Sequence, residues 1–218
     1  MDHRDIVIDP PLRGTWVIYN PPGHPKLAFD FLAEDERKSL YRNTTFLRHL
    51  VTFISVEDTL TWSSPVFSPV DGTVVTSRDG VKDRMKICFL YDLFTLLTNK
   101  PKETDGFGAF GGNHVMIRSG NSYVLLCHLR EGSVGVKKGD TVHAGQKLAE
   151  VGNSGSSIQP HLHLQVMSND RYFPLFRNLL PFKISNGKVK HGDNWHATTN
   201  IEPRNGTHYA FESISRER

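Results

Sequence analysis

The stretch from Asn113 to Leu129 constrains this chain most, because it reads as a β-hairpin and little else. Val115-Met116-Ile117-Arg118 and Tyr123-Val124-Leu125-Leu126 are strand-like runs separated by Ser119-Gly120-Asn121-Ser122. A tight turn between two apolar runs sets the register of the strands it joins. With Gly120-Asn121 as a two-residue turn, Ile117 faces Val124, Val115 faces Leu126 and Asn113 faces His128. Directly opposed residues share a face. The expectation is an apolar strip ended by a polar pair, Asn113 and His128, at the rim of a core, where a site is more usual than packing.

The rest of the chain repeats this short-strand pattern. Thr15-Trp16-Val17-Ile18-Tyr19 and Lys26-Leu27-Ala28-Phe29-Asp30-Phe31 are strand-like runs among Pro10, Pro11, Pro21, Pro22, Gly23 and Pro25. Between Val136 and Val151, glycines alternate with short apolar runs, which suits tight turns in a curved sheet. Residues 33–42 are the best short helix candidate, with acids early and bases late. Residues 89–97 read equally as a helix or a buried strand, and Thr98 to Gly112 as a long loop. Residues 171–218 mix strand-like runs with turns. The pattern predicts an all-β-dominated fold with minor helix.

A chain of 218 residues supports one sizeable core, and a composition of 38% hydrophobic and 22% charged residues is that of an ordinary globular protein. The net charge of +3 comes without a Lys/Arg block, so nucleic acid is not implied, whereas an anionic polymer such as a bacterial wall is compatible. No apolar run is long enough to span a membrane. The N-terminus shows no signal peptide, so the chain as written reads as cytoplasmic, or as periplasmic or extracellular if a leader was removed. Cys88 and Cys127 lie in apolar runs, where buried free thiols are common, and they form no disulfide framework.

The chemistry concentrates in Pro160-His161-Leu162-His163-Leu164-Gln165-Val166, which follows the turn-rich Gly152-Asn153-Ser154-Gly155-Ser156-Ser157. On a strand, residues two apart share a face, so both imidazoles look the same way while Leu162 and Leu164 oppose them. Two adjacent imidazoles suit a metal or a proton-transfer site; the bland reading is a pair of surface histidines. Asp30, between Phe29 and Phe31, needs compensation too, from a metal, an Arg or backbone N–H groups.

The order of these elements resembles the lysostaphin-like, LytM-type zinc metallopeptidases, whose members cleave peptide bonds in peptidoglycan. The resemblance rests on Ser68-Pro69-Val70-Asp71-Gly72-Thr73-Val74-Val75, the Asn113–Leu129 hairpin, Lys138-Gly139-Asp140-Thr141-Val142-His143-Ala144-Gly145-Gln146 and the segment from Gly152 to His163. It covers residues 66–167 well and 24–31 loosely. It implies a sheet or barrel-sandwich of the duplicated hybrid motif type, with a metallopeptidase-like core at 66–170. Residues 1–65 would carry the first metal motif and an insertion, and 171–218 would extend the same domain. Carried over residue by residue, the resemblance implies Zn2+ held by His24, Asp30 and His163, with His128 and His161 catalytic and Asn113 a substrate or support residue. His114 and His143 match no metal position. Three such ligands would leave one zinc position open for water. The site is expected in a groove walled by residues 98–112, 152–160 and the insertion 32–62.

One departure stands out. The family pattern has three residues between its His and Asp, whereas His24 and Asp30 are separated by five. Residues six apart on an extended strand lie about 20 Å apart, so His24 must sit on a turn that folds back; Gly23-His24-Pro25 is turn-prone enough. His3 and His49 are the other candidates for the first ligand. The altered spacing is the main support for a degenerate, non-catalytic binding or regulatory module, and retention of all three downstream histidines opposes it. Biotinyl or lipoyl carrier domains share the Gly-Asp-x-Val-x-x-Gly-Gln segment but need an exposed Lys at a hairpin tip, for which Met85-Lys86 is a faint echo. Sugar phosphocarriers also use two histidines, without the carboxylate.

Overall fold

A computed structural model describes residues 6–20, 24–99, 101–173 and 177–212. The hairpin forms as its turn dictates: Ser119 pairs with Ser122, Ile117 with Val124 and Val115 with Leu126, with Gly120 at φ 57°. Strand Leu162–Met167 lies beside it, antiparallel to Ser122–Leu129 on one side and to Ala28–Ala33 on the other. Beyond Ala28–Ala33 come Gly14–Tyr19, His208–Phe211, Phe182–His191 and, at the far edge and parallel, Ile6–Ile8. On the hairpin's other side stand Gly72–Arg78 and Thr141–Val142. The chain is mostly β, and strands from both ends of the described sequence share one sheet.

Period-two alternation divides the central strands into two faces. Leu162, Leu164, Val166, Leu126, Val124 and Phe31 enter the main apolar core, all essentially inaccessible to solvent. Cys127, Leu125, Met116 and Met167 form a smaller cluster on the opposite face, beside the histidines. Burying a side chain such as Leu164 stabilises by about 1.5–3 kcal/mol, so slipping this strand by one residue would exchange its apolar and polar sets at several times that cost. The core therefore holds the site residues in register.

Four expectations need correction. Asn113 pairs with Leu129, not with His128. A β-bulge sets Cys127 and His128 against His114 alone, and His128 adopts φ 60°. Residues 33–42 form no helix: Asp35 Oδ1 accepts the N–H groups of Arg37 and Ser39, and this local turn competes successfully with helix. Strand Ala28–Ala33 starts two residues later than the sequence pattern places it, because Ala28 N–H bonds Pro25 O in a turn. Residues 98–112 are not a plain loop, since they contain a 3-10 turn at Glu103–Asp105 and a short helix, Phe107–Gly111.

The ambiguous run at 89–97 is helical. Helix α1 (Phe46–Val51) packs against helix α2 (Phe89–Thr98) through edge contacts of Phe46 and His49 with Phe89, and Phe53, just past α1, meets Tyr91. Both cysteines are buried free thiols.

Candidate metal centre

Strand register builds the centre. His163 lies directly opposite Asp30, and Gln165 opposite Ala28, so the imidazole and the carboxylate share a face. His163 Nδ1 sits 2.9 Å from Asp30 Oδ1. The turn from Pro25 to Ala28 folds the preceding residue back, and His24 Nε2 comes to 3.3 Å from His163 Nδ1 and 3.5 Å from Asp30 Oδ1. The long His24–Asp30 spacing is thus absorbed by a turn. His161 precedes the same strand and brings its Nε2 to 3.5 Å from Asp30 Oδ1.

The bulge supplies the fourth histidine. In an unbroken strand Cys127 and His128 would point to opposite faces. The left-handed backbone at His128, tolerated by histidine better than by β-branched residues, turns its ring to the site instead. Leu129 then returns to the core. The His128 ring stands 4.6 Å from that of His161 and 6.0 Å from that of His163. Bulges beside active sites commonly re-aim a side chain in this way.

Hydrogen bonds select the ring nitrogens that face inward. His163 Nε2–H donates to Gln165 Oε1 at 3.1 Å, which makes Nδ1 the nitrogen that faces Asp30 and His24. His128 Nδ1–H donates to Ser154 O and His161 Nδ1–H donates to Gln159 O, each at 2.9 Å. In each ring Nε2 is then the nitrogen turned toward the site, and that of His161 faces Asp30. Ser157 Oγ donates to the same Gln159 carbonyl and lies 3.2 Å from His161 Nδ1. Asn113 does not face the site. Its side chain bonds Val81 N, Val81 O and Leu129 O, and its backbone N–H donates to Ser154 Oγ. It braces the segment whose carbonyl holds His128.

Electrostatics follow from burial and from one carboxylate among four imidazoles. Burial raises the Asp30 pKa, but the charges of His161 and His163, the His163 hydrogen bond and His24 outweigh it and hold the carboxyl well below its ordinary range. Burial opposes a proton on His163, and the Asp30 hydrogen bond and charge reverse this, so His163 is pushed up. Burial, partly opposed by Asp30, lowers His24. Burial and the neighbouring His161 and His163 push His128 far down, so it is neutral at neutral pH.

The donor set fits a tetrahedral zinc ion. Ligands at 2.0–2.2 Å in tetrahedral geometry stand roughly 3.3 Å from one another, and the three separations here are 2.9, 3.3 and 3.5 Å. With Nε2 bonded to Gln165, His163 turns Nδ1 toward a carboxylate and a second imidazole: protonated there it donates to Asp30, and deprotonated it offers a lone pair. Three converging acceptors repel unless a cation or proton lies between them. A second possible group, His128, His161 and His163, shares His163 with the first. Of the remaining histidines, His49 is buried against Tyr41, 2.8 Å away, and His114 bonds Gly112 O and Tyr172. His143 is exposed beside Asp71, and His3 lies outside the described residues.

Two contributors were not singled out in the sequence. Gln165 shares the face of His161 and His163 by period two, a signal available in the sequence. Arg84 carries no such signal: its guanidinium bonds both Asp92 of α2 and the carbonyl of Ser157, far away in sequence. Arg84 also exchanges backbone and side-chain bonds with Asn153, so it ties α2 to the segment that holds His128 and His161. Two of the three expected wall segments touch each other: Ser156 N–H donates to Phe110 O, and Ser154 packs on Gly112.

Residues 100–174 match the Peptidase family M23 profile. That match includes His128, His161 and His163; His24 and Asp30 lie before it. The chain is 31% identical over 103 residues to the peptidoglycan DD-endopeptidase ShyA of Vibrio cholerae, covering 47% of this chain and 19% of that one. It is 32% identical over 108 residues to lysostaphin of Staphylococcus simulans, covering 48% and 22%. The chain thus spans about a fifth of the length of these relatives. Against the catalytic domain of Staphylococcus simulans lysostaphin, the structure gives a TM-score of 0.40 at 19% identity, covering 73% of this chain and 83% of that one.

Proposed function

We propose that this chain is a zinc-dependent endopeptidase that hydrolyses peptide bonds in peptidoglycan cross-links. The observation that carries the proposal is the convergence of His24 Nε2, Asp30 Oδ1 and His163 Nδ1 at zinc-ligand separations, beside two further histidines that turn Nε2 toward the site. The M23 match and the names of the relatives supply the substrate class.

His24, Asp30 and His163 would hold the ion, with Gln165 fixing the His163 tautomer as outer-shell partners do. When bound there, zinc acts as a Lewis acid toward water and the scissile carbonyl. His128 is the proton acceptor in this reading, because burial keeps it neutral and Ser154 O holds its other nitrogen. His161, beside Asp30, serves the developing oxyanion or the leaving amine when protonated. The alternative of a degenerate binding module drew its support from the His24–Asp30 spacing; the Pro25–Ala28 turn, which lets both reach His163, favours the catalytic reading.

Incubating purified protein with isolated peptidoglycan and analysing the soluble fragments by mass spectrometry tests the reading. New amino termini within cross-links, abolished by a chelator and restored by zinc, are expected. Intact cross-links in the zinc-loaded protein would overturn it.

A further inference from the structure

We propose that the paired helices α1 and α2 form a docking face for an anionic membrane surface, a reading independent of the peptidase assignment. Phe46, Leu47, Val51, Leu90, Phe94 and Leu97 are each at least half exposed, Leu47 at 72% and Phe94 at 66%. Leu90, Phe94 and Leu97 are spaced i, i+4, i+7, so they form one stripe along α2; Leu47 and Val51 repeat the i, i+4 spacing on α1. Scattered exposed apolar residues are normal, but a contiguous set on two adjoining helices marks an interaction face.

Charge selects the occupant. Among the described residues of the two helices the single acid is Asp92, which is buried and engaged by Arg84. Their exposed ionic neighbours are cationic: Arg48 within α1, Lys86 just before α2 and Lys102 just after it. Glu57 and Asp105, exposed acids on either flank, lie beyond the helix ends. An apolar stripe flanked by Lys and Arg, with no exposed acid within the helices, is the pattern of interfacial helices on anionic lipid. Both helices are too short to cross a membrane, so the mode is surface contact.

Co-sedimentation of the full chain with vesicles of equal parts phosphatidylglycerol and phosphatidylcholine, and with phosphatidylcholine alone, tests this. Binding to the anionic vesicles that weakens with added salt is expected. The double variant Phe94→Ser/Leu97→Ser should weaken it by about tenfold or more, and Arg48→Glu/Lys86→Glu should do the same. All four side chains are exposed, so unchanged thermal unfolding would show that the variants fold. Absent binding, or equal binding to both vesicles, would overturn the proposal. So would a dimer in sedimentation velocity that Phe94→Ser/Leu97→Ser converts to monomer, since the face would then serve self-association.

Discussion

His128 donates its Nδ1–H to the carbonyl of Ser154 at 2.9 Å, and that carbonyl is within reach because the backbones at Gly112 and Ser154-Gly155 touch. A Cβ added at Gly155, which has φ +70°, would lie 2.4 Å from Gly112 N. Gly155→Ala should therefore cost about 1–3 kcal/mol from backbone strain alone and displace Ser154. Thermal unfolding and turnover measured together check this. A variant as stable and active as the parent would show that the close approach does not matter.

His128→Ala should retain the metal and lose turnover by roughly 10²–10⁴, the usual share of a general acid–base group. Metal content and kcat on the same sample separate this from a ligand role. Loss of zinc in His128→Ala would assign His128 to the metal through its alternative grouping with His161 and His163.

On the proposed function Arg84 acts as a positioning residue. Arg84→Ala leaves the Asp92 carboxylate buried and removes a donor from Ser157 O, whose neighbour Gln159 holds His161. Because the Arg84 side chain is 40% exposed, the expected destabilisation is about 1–3 kcal/mol rather than that of a fully buried pair. Zinc should stay bound, kcat should fall more than KM changes, and Arg84→Lys should restore part of it. A pure stability loss with unchanged kcat would make the pair merely structural.

Two histidines outside the centre set an acid limit on stability. Burial depresses both His114 and His49, overriding the Gly112 hydrogen bond for the first and Asp92 for the second. Each is neutral in the fold and gains a proton on unfolding below its ordinary pKa of 6.5. Their stabilising effect is complete above that pH and declines as pH falls through it toward the lowered folded values. The fall in Tm from about pH 7.5 to about pH 5 should shrink in His114→Gln/His49→Gln. An identical fall in both proteins would contradict this.

How much of this was legible depends on the range of the interaction. The hairpin register through Val115 and Leu126 was readable because Gly120-Asn121 and strand alternation act locally. The bulge at His128 was not, since a left-handed residue leaves no mark when its side chain is histidine. Residues 33–42 imitate a helix in charge order, yet the Asp35 side chain closes a turn first. Apolar content at 89–97 gave no period to separate helix from buried strand, and both readings stood until the α1 contact settled it. The His24–Asp30 spacing did announce a turn, because two donors cannot meet across an extended strand. Arg84 was silent, as its partner Ser157 is 73 residues away.

Elemental analysis of His24→Ala beside the parent tests the central claim most directly. The account predicts about one equivalent of zinc in the parent and its loss in the variant, because two remaining protein ligands rarely hold zinc tightly. Undiminished zinc in His24→Ala, or a parent that takes up none, would contradict it.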